Sequence, residues 1–220
     1  MAARCWPDEA APDCEATVSR GPVLRAGQRA WTTATAFDGP CLVRSGCLKV
    51  QAVDPGGSER ITEFALPGDI VGLESLGAAR HVDEAIAVAD TMLCRLEWPP
   101  QGEDAAAQGR LATQLLERIG RQLRERMVIR HDAGPQQAVS SFLRWLGGRI
   151  GRPEGETGEG RVAYELPMTR REIGLYLGLA EETVCRTLRR LEQGGDARIT
   201  RRRVVLQQPR AARLAVAAAL

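Results

Sequence analysis

The sequence predicts an α+β chain with a strand-rich first half, one long helix, and a helical last third that closes on a hairpin. Three observations predict it. Between about Val23 and Leu96, short apolar runs are broken every few residues by turn residues. Over residues 110–131 the apolar period becomes that of a helix. From Thr169 onward, two helix signatures are separated by a single glycine. The 220 residues suffice for one large or two small domains.

Residues 1–20 show no apolar period and are expected to form an irregular or weakly helical arm. Cys41-Leu42-Val43, Cys47-Leu48-Lys49-Val50 and Ile61-Thr62-Glu63-Phe64 are strand candidates. Asp54-Pro55-Gly56-Gly57 predicts a hairpin turn, since Pro presets φ and Gly accepts positive φ. Further turns are expected at Ser45-Gly46 and Pro67-Gly68-Asp69. Many short strands at close spacing imply a sandwich or barrel. Ala112, Leu116, Ile119, Leu123 and Met127 then recur at steps of four, three, four and four, a stripe that packs either on a second copy of the helix or on its own domain. Residues 136–150 predict another amphipathic helix, and 151–161, without an apolar residue until Val162, predict a loop. The expected organisation is an arm over 1–21, a β-barrel over 22–109, a long helix over 110–133 and a helical domain over 134–220.

Composition narrows the function classes. Hydrophobic residues are 44% and charged residues 26%, an ordinary soluble balance, and no apolar run approaches the roughly 18 residues of a membrane span. The acidic N-terminus has no apolar core, so a secretory signal is not expected and a cytoplasmic location is. Six irregularly spaced cysteines then imply reduced thiols. The net charge of +2 divides unevenly: residues 1–109 carry −7, residues 110–160 carry +3 and residues 161–220 carry +6. A basic end on an acidic chain points to a polyanionic partner. His81 and His131 are the only histidines and neither adjoins a nucleophile pattern; phosphate-loop, dinucleotide and zinc-hydrolase motifs are missing, so an enzyme is not expected.

The stretch Thr169 to Gln193 carries the chemistry. Thr169 and Glu172 have capping-box spacing and start a helix. Gly174 offers space for a close approach, and Gly178 stands where a helix terminates. Glu181 and Glu182 open the next helix and suit its dipole, although Ala180 is a poor cap. Val184, Leu188 and Leu191 face inward. Glu182, Cys185, Arg186 and Arg189, at i, i+3, i+4 and i+7, share the opposite side. Arg donates bidentately to guanine and Glu accepts from cytosine N4, so this face matches the edge of a base pair. Beyond Gly194-Gly195, Val204-Val205-Leu206 predicts a strand behind a basic tip whose Arg201, Arg202 and Arg203 suit phosphates.

The segment from Leu166 to Gly195 resembles the winged helix-turn-helix of the Crp/Fnr transcription regulators, the Fnr-like branch above all. That branch shows T-R-x-[DE]-I-G-x-Y-L-G-L-x-x-E-T-[IV]-[SC]-R, matched here by Thr169-Arg170-Arg171-Glu172-Ile173-Gly174-Leu175-Tyr176-Leu177-Gly178-Leu179 and Glu182-Thr183-Val184-Cys185-Arg186. Leu42-Val43-Arg44-Ser45-Gly46 and Phe64-Ala65-Leu66-Pro67-Gly68-Asp69-Ile70-Val71-Gly72 are similar to the family's barrel motifs, so the resemblance spans about residues 22–210. It implies a jelly-roll, cyclic-nucleotide-binding-like sensor domain, a dimerisation helix and a DNA-binding domain. It further implies a homodimer through residues 110–130 on near-palindromic duplex DNA with a TTGAT-type half-site, RNA polymerase as a partner, and activation or repression of transcription. The DNA contacts implied are Thr169, Arg170, Glu182, Thr183, Cys185, Arg186, Arg189, Arg201, Arg202 and Arg203.

The departures bear on the signal. Cyclic-nucleotide members hold the phosphate with an Arg-Ser pair, where this chain has Ala79-Arg80-His81-Val82-Asp83-Glu84-Ala85. Acids there repel a phosphodiester, so cAMP is not an expected ligand. Oxygen-sensing members hold a [4Fe–4S] cluster on three N-terminal cysteines and one in the barrel. Cys94 is similar to the barrel ligand, but the arm has only Cys5 and Cys14, with Cys41 or Cys47 as further thiols or simply small buried hydrophobes. Cys185 stands where relatives have Ser, as an oxidisable thiol or a Ser-like contact. A response to oxygen or redox state is therefore the expected input.

Overall fold

The computed structural model describes residues 18–53, 59–96, 105–130, 134–154 and 160–207. The chain divides into two compact units between Arg124 and Glu125.

Among the described residues the N-terminal unit holds eight strands: β1 Val18–Leu24, β2 Arg29–Trp31, β3 Cys41–Ser45, β4 Leu48–Val53, β5 Glu59–Ala65, β6 Ile70–Val71, β7 Glu84–Ala87 and β8 Thr91–Leu96. They form two antiparallel sheets, ordered β1-β8-β3-β6 and β2-β7-β4-β5. Among the described residues no ladder joins the two sheets into one closed barrel. Side-chain alternation explains why both faces of β3 are apolar. Cys41 and Val43 enter the core between the sheets with Trp31, Leu48 and Val50. Leu42 faces the other way, into a cluster with Ile70, Cys94, Leu96 and Leu115. Each such leucine or isoleucine contributes about 1.5–3 kcal/mol by leaving water.

Turns fall where the sequence places them at Ser45-Gly46 and Pro67-Gly68-Asp69, while Asp54 to Gly57 lies outside the described residues. Residues 18–20, expected to be irregular or weakly helical, are strand. Val18, Ser19 and Arg20 pair with Leu96, Arg95 and Cys94 as part of β1. The pairing partner lies some 75 residues away, so no local period announces it.

Helix α1 runs Ala105–Arg130. The single stripe expected there is two faces. Leu115, 7% exposed, packs on the sheet with the half-buried Ile119. Leu116 and Leu123 point away from the sheet and are 69% and 52% exposed, and Met127, further along the helix, is 58% exposed.

The C-terminal unit comprises α2 Pro135–Ile150, β9 Arg152–Pro153, β10 Arg161–Glu165, α3 Arg170–Leu177, α4 Glu181–Gln193, β11 Ala197–Thr200 and β12 Arg203–Gln207, with sheet order β11-β12-β10-β9. Part of the expected 151–161 loop is strand: Arg152 and Pro153 pair with Ala163 and Val162. Phe142 of α2 packs on Tyr176 of α3, ring centroids 5.6 Å apart. Tyr164 is buried and donates its hydroxyl to the Leu143 carbonyl at 2.7 Å. Among the described residues no helix is long and apolar enough to cross a membrane.

Candidate nucleic-acid interface

The reading element begins at a well-made helix start. The Thr169 side chain accepts the Glu172 N–H at 3.2 Å, and the Glu172 carboxylate accepts the Thr169 N–H at 2.7 Å. This is the capping box the spacing predicts. Helix α3 then stops at Gly178, whose φ of 70° is left-handed. The Leu179 N–H bonds back to the Gly174 carbonyl at 2.9 Å, which sets the angle at which α4 leaves. Gly174 has no room for a side chain, since a Cβ would sit 2.5 Å from the Leu179 carbonyl oxygen. The approach is by the turn, not by another helix. Ala180 caps α4 with no side-chain bond, as its methyl dictates.

Val184, Thr187, Leu188 and Leu191 of α4 are buried. This pins the helix by one face and turns Glu182, Arg186 and Arg189 to solvent, with Thr183 and Cys185 half-buried beside them. The Arg186 guanidinium lies 3.8 Å from the Glu182 carboxylate and 3.5 Å from the Thr183 hydroxyl. With side chains 55% and 89% exposed, the Arg186–Glu182 pair is worth at most a few tenths of a kcal/mol. Both groups can therefore exchange this contact for a base edge at little cost. Thr169 is exposed and Arg170 half-buried at the start of α3.

The three wing arginines have different situations. Arg201, in the β11–β12 turn at φ 55°, is exposed. Arg203 pairs with Glu154 at 2.9 Å. Arg202 folds back, donating Nε to the Leu166 carbonyl at 2.9 Å and its terminal nitrogen to the Pro167 carbonyl. Sequence reasoning missed this anchoring role, which joins residues some 35 apart in the chain.

Similarity to known proteins fits this arrangement. Residues 137–213 match the Crp-like helix-turn-helix domain, and residues 23–99 match the cyclic nucleotide-binding domain. The transcriptional activator protein FnrA of Stutzerimonas stutzeri is 32% identical over 181 residues, 81% of this chain and 72% of the relative. The chain belongs to the Crp/Fnr family of transcription regulators. The transcriptional activator protein Anr of Pseudomonas protegens is 33% identical over 179 residues, covering 80% of this chain and 72% of that one. The structure of FixK2 from Bradyrhizobium japonicum superposes with a TM-score of 0.70 at 25% identity, over 90% of this chain and 96% of that one. The family consists of transcription regulators and not enzymes, and residues 137–213 form its DNA-binding helix-turn-helix domain.

In this Crp/Fnr chain the segment that departs from the cyclic-nucleotide pattern packs His81 against two aromatic rings. The Trp31 and His81 rings stack with centroids 4.4 Å apart, and Phe37 meets His81 edge-on at 5.3 Å. The Trp31 indole donates to the buried Asp83 carboxylate at 2.9 Å. Burial lowers the His81 pKa below its usual value and favours the neutral ring, against the opposing pull of Asp83, which favours the charged one. Arg80, the one cation of this segment, donates to the Ala34 carbonyl.

The described cysteines do not fit a [4Fe–4S] cluster. Cys41 and Cys94 lie on opposite faces of one sheet, in separate apolar clusters. Burial pushes the Cys41 thiol up to about 11, against the lowering influence of Arg95, so it resists becoming the thiolate a metal needs. Cys47 is buried at a turn, its N–H bonded to the Thr91 hydroxyl at 3.0 Å. Among the described residues no three His, Cys, Asp or Glu converge as a metal site. Cys5 and Cys14 lie outside the described residues.

Proposed function

We propose that this regulator acts as a homodimer, with Leu116, Leu123 and Met127 of α1 forming the seam and two copies of α4 entering successive major grooves. The observation that carries this reading is the outward face of α4. Glu182, Arg186 and Arg189 sit on a helix held by a buried apolar face and touched by little else. Glu182 and Arg186 read bases, Thr169, Arg170, Thr183, Cys185 and Arg189 support them, and Arg201 neutralises a phosphate. Relatives named as activators support activation, with RNA polymerase as the partner.

Arg186→Ala tests the base-reading role. It is expected to cost ~1–3 kcal/mol at one base pair of each half-site and to relax discrimination there, measured by competition between cognate and single-substitution duplexes. An unchanged ratio of specific to scrambled binding contradicts it. The wing separates in the same assay. Arg201→Ala should reduce the slope of log affinity against log salt by about 0.9, one phosphate, with sequence preference intact. Arg202→Ala should instead lower the unfolding midpoint, because it frees the loop carbonyls at Leu166 and Pro167.

The input we propose is oxygen or redox state and not cAMP. The Asp83 carboxylate, buried against Trp31, presents an anion to any incoming phosphodiester. The cluster-bound reading would rest on Cys94 with Cys5 and Cys14, because Cys41 and Cys94 occupy separate apolar clusters and among the described residues no three metal-binding side chains converge. Cys185, half-buried on the reading face, is the residue through which an oxidant would act directly on DNA binding.

A further inference from the structure

Gln122 lies on a helix thick with arginine, yet it is only 6% exposed. Its amide makes three hydrogen bonds. Oε1 accepts the Ile70 N–H at 3.1 Å, and Nε2 donates to the Ile70 carbonyl at 2.9 Å and to Glu63 Oε1 at 2.9 Å. The first two are the reciprocal pair that one strand offers its neighbour. Gln122 therefore behaves as a one-residue strand laid along β6.

The topology gives that contact its meaning. Among the described residues β6 is the last strand of its sheet, paired on its other side with β3. Glu63 belongs to β5, which among the described residues is the last strand of the second sheet. One helix side chain thus ties together the edge strands of both sheets. Arg118, one turn earlier, donates to the Gly68 carbonyl at 2.6 Å, in the turn that enters β6. Leu115, Ile119 and Gln122 fall on one side of α1, while Leu116 and Leu123 each follow one of them by a single position and point elsewhere. Holding Gln122 fixes the rotation of the helix about its axis, and hence which side chains it presents outward.

We infer that Gln122 is the positioning residue that couples the sensor domain to the dimer seam, resting on the homodimer reading above. With the amide seated, Leu116 and Leu123 are aimed at the partner copy. A change in the sensor domain that parts β5 from β6 breaks the clamp, releases the rotation of α1, and weakens the dimer. Both states are discrete, because the amide either completes the β6 edge or leaves it unpaired.

Sedimentation of the full chain tests this, with Gln122→Leu and Leu115→Ala compared to wild type. Leucine fills a similar volume and cannot pair with Ile70. Gln122→Leu is expected to keep the far-UV dichroism of the wild type while its dimer dissociation constant rises at least tenfold, about 1.4 kcal/mol. Its DNA affinity should fall in step and recover when the protein is concentrated. Leu115→Ala removes packing from the same helix side, so it should lower the unfolding midpoint and leave the dimer constant within about threefold. Should Gln122→Leu not fold, Gln122→Glu keeps the acceptor for the Ile70 N–H, loses the donor and sets a second carboxylate against Glu63, and the same weakening is expected. A dimer constant within threefold of wild type in the folded Gln122 variant overturns the coupling and leaves the homodimer standing. A monomeric wild type overturns both.

Discussion

Leu123→Glu should make the full-length chain monomeric and abolish operator binding at concentrations where the wild type saturates its site. Leu123 is 52% exposed on α1, seven residues from Leu116 and four from Met127 on the same outward face. In a symmetric dimer each substitution counts twice. Removing two half-exposed leucines forfeits roughly 2–3 kcal/mol of apolar burial. Two carboxylates facing across the seam cost at least as much again in desolvation and repulsion. The dimer constant should therefore rise roughly a thousandfold, since each 1.4 kcal/mol is tenfold. A lone helix-turn-helix then reads one half-site and loses the roughly 10²–10⁴ gained by tethering two. Sedimentation and fluorescence anisotropy on one labelled duplex check both halves of the expectation. Leu123→Met should retain dimer and binding.

Gly174→Ala should damage the reading element far out of proportion to one methyl group. Helix propensity alone favours alanine by about 1 kcal/mol. Space decides the other way. The new Cβ would lie 2.5 Å from the Leu179 carbonyl oxygen, a backbone atom that moves only if the turn moves. Overpacking of this kind costs about 1–3 kcal/mol or more. It also pushes apart α3 and α4, so specific DNA affinity should fall further than the loss of stability explains. Gly178→Asn is the contrast. Nothing lies within 4 Å of a Cβ at Gly178, and its φ of 70° is tolerated by asparagine, so folding and binding should change little. Thermal unfolding beside binding to cognate duplex separates the two variants.

What could be read from the sequence was local. The capping box at Thr169 and Glu172, the stop at Gly178 and the weak cap at Ala180 depend on residues within one turn, and each is present. The pairing of β1 with β8 was not legible, because Val18 to Arg20 take their conformation from a strand far along the chain. Helix α1 was legible as a helix but not as two faces. Leu115 and Leu116 are adjacent and equally apolar, and only the sheet decides which one is covered. Gln122 carried no signal at all, since a glutamine among arginines suits solvent as well as a clamp. Arg202 was legible only in part for the same reason: its charge is visible in the sequence and its fold-back onto Leu166 and Pro167 is not.

Selection of duplexes from a random pool by the full-length wild-type chain interrogates the outward face of α4 most directly. Recovered sequences should be two-fold symmetric, with half-site centres about 10 base pairs apart, and Arg186→Ala should lose its preference at one pair in each half. Recovery of sequences without symmetry, or of the same sequences by Arg186→Ala, would contradict base reading by this helix.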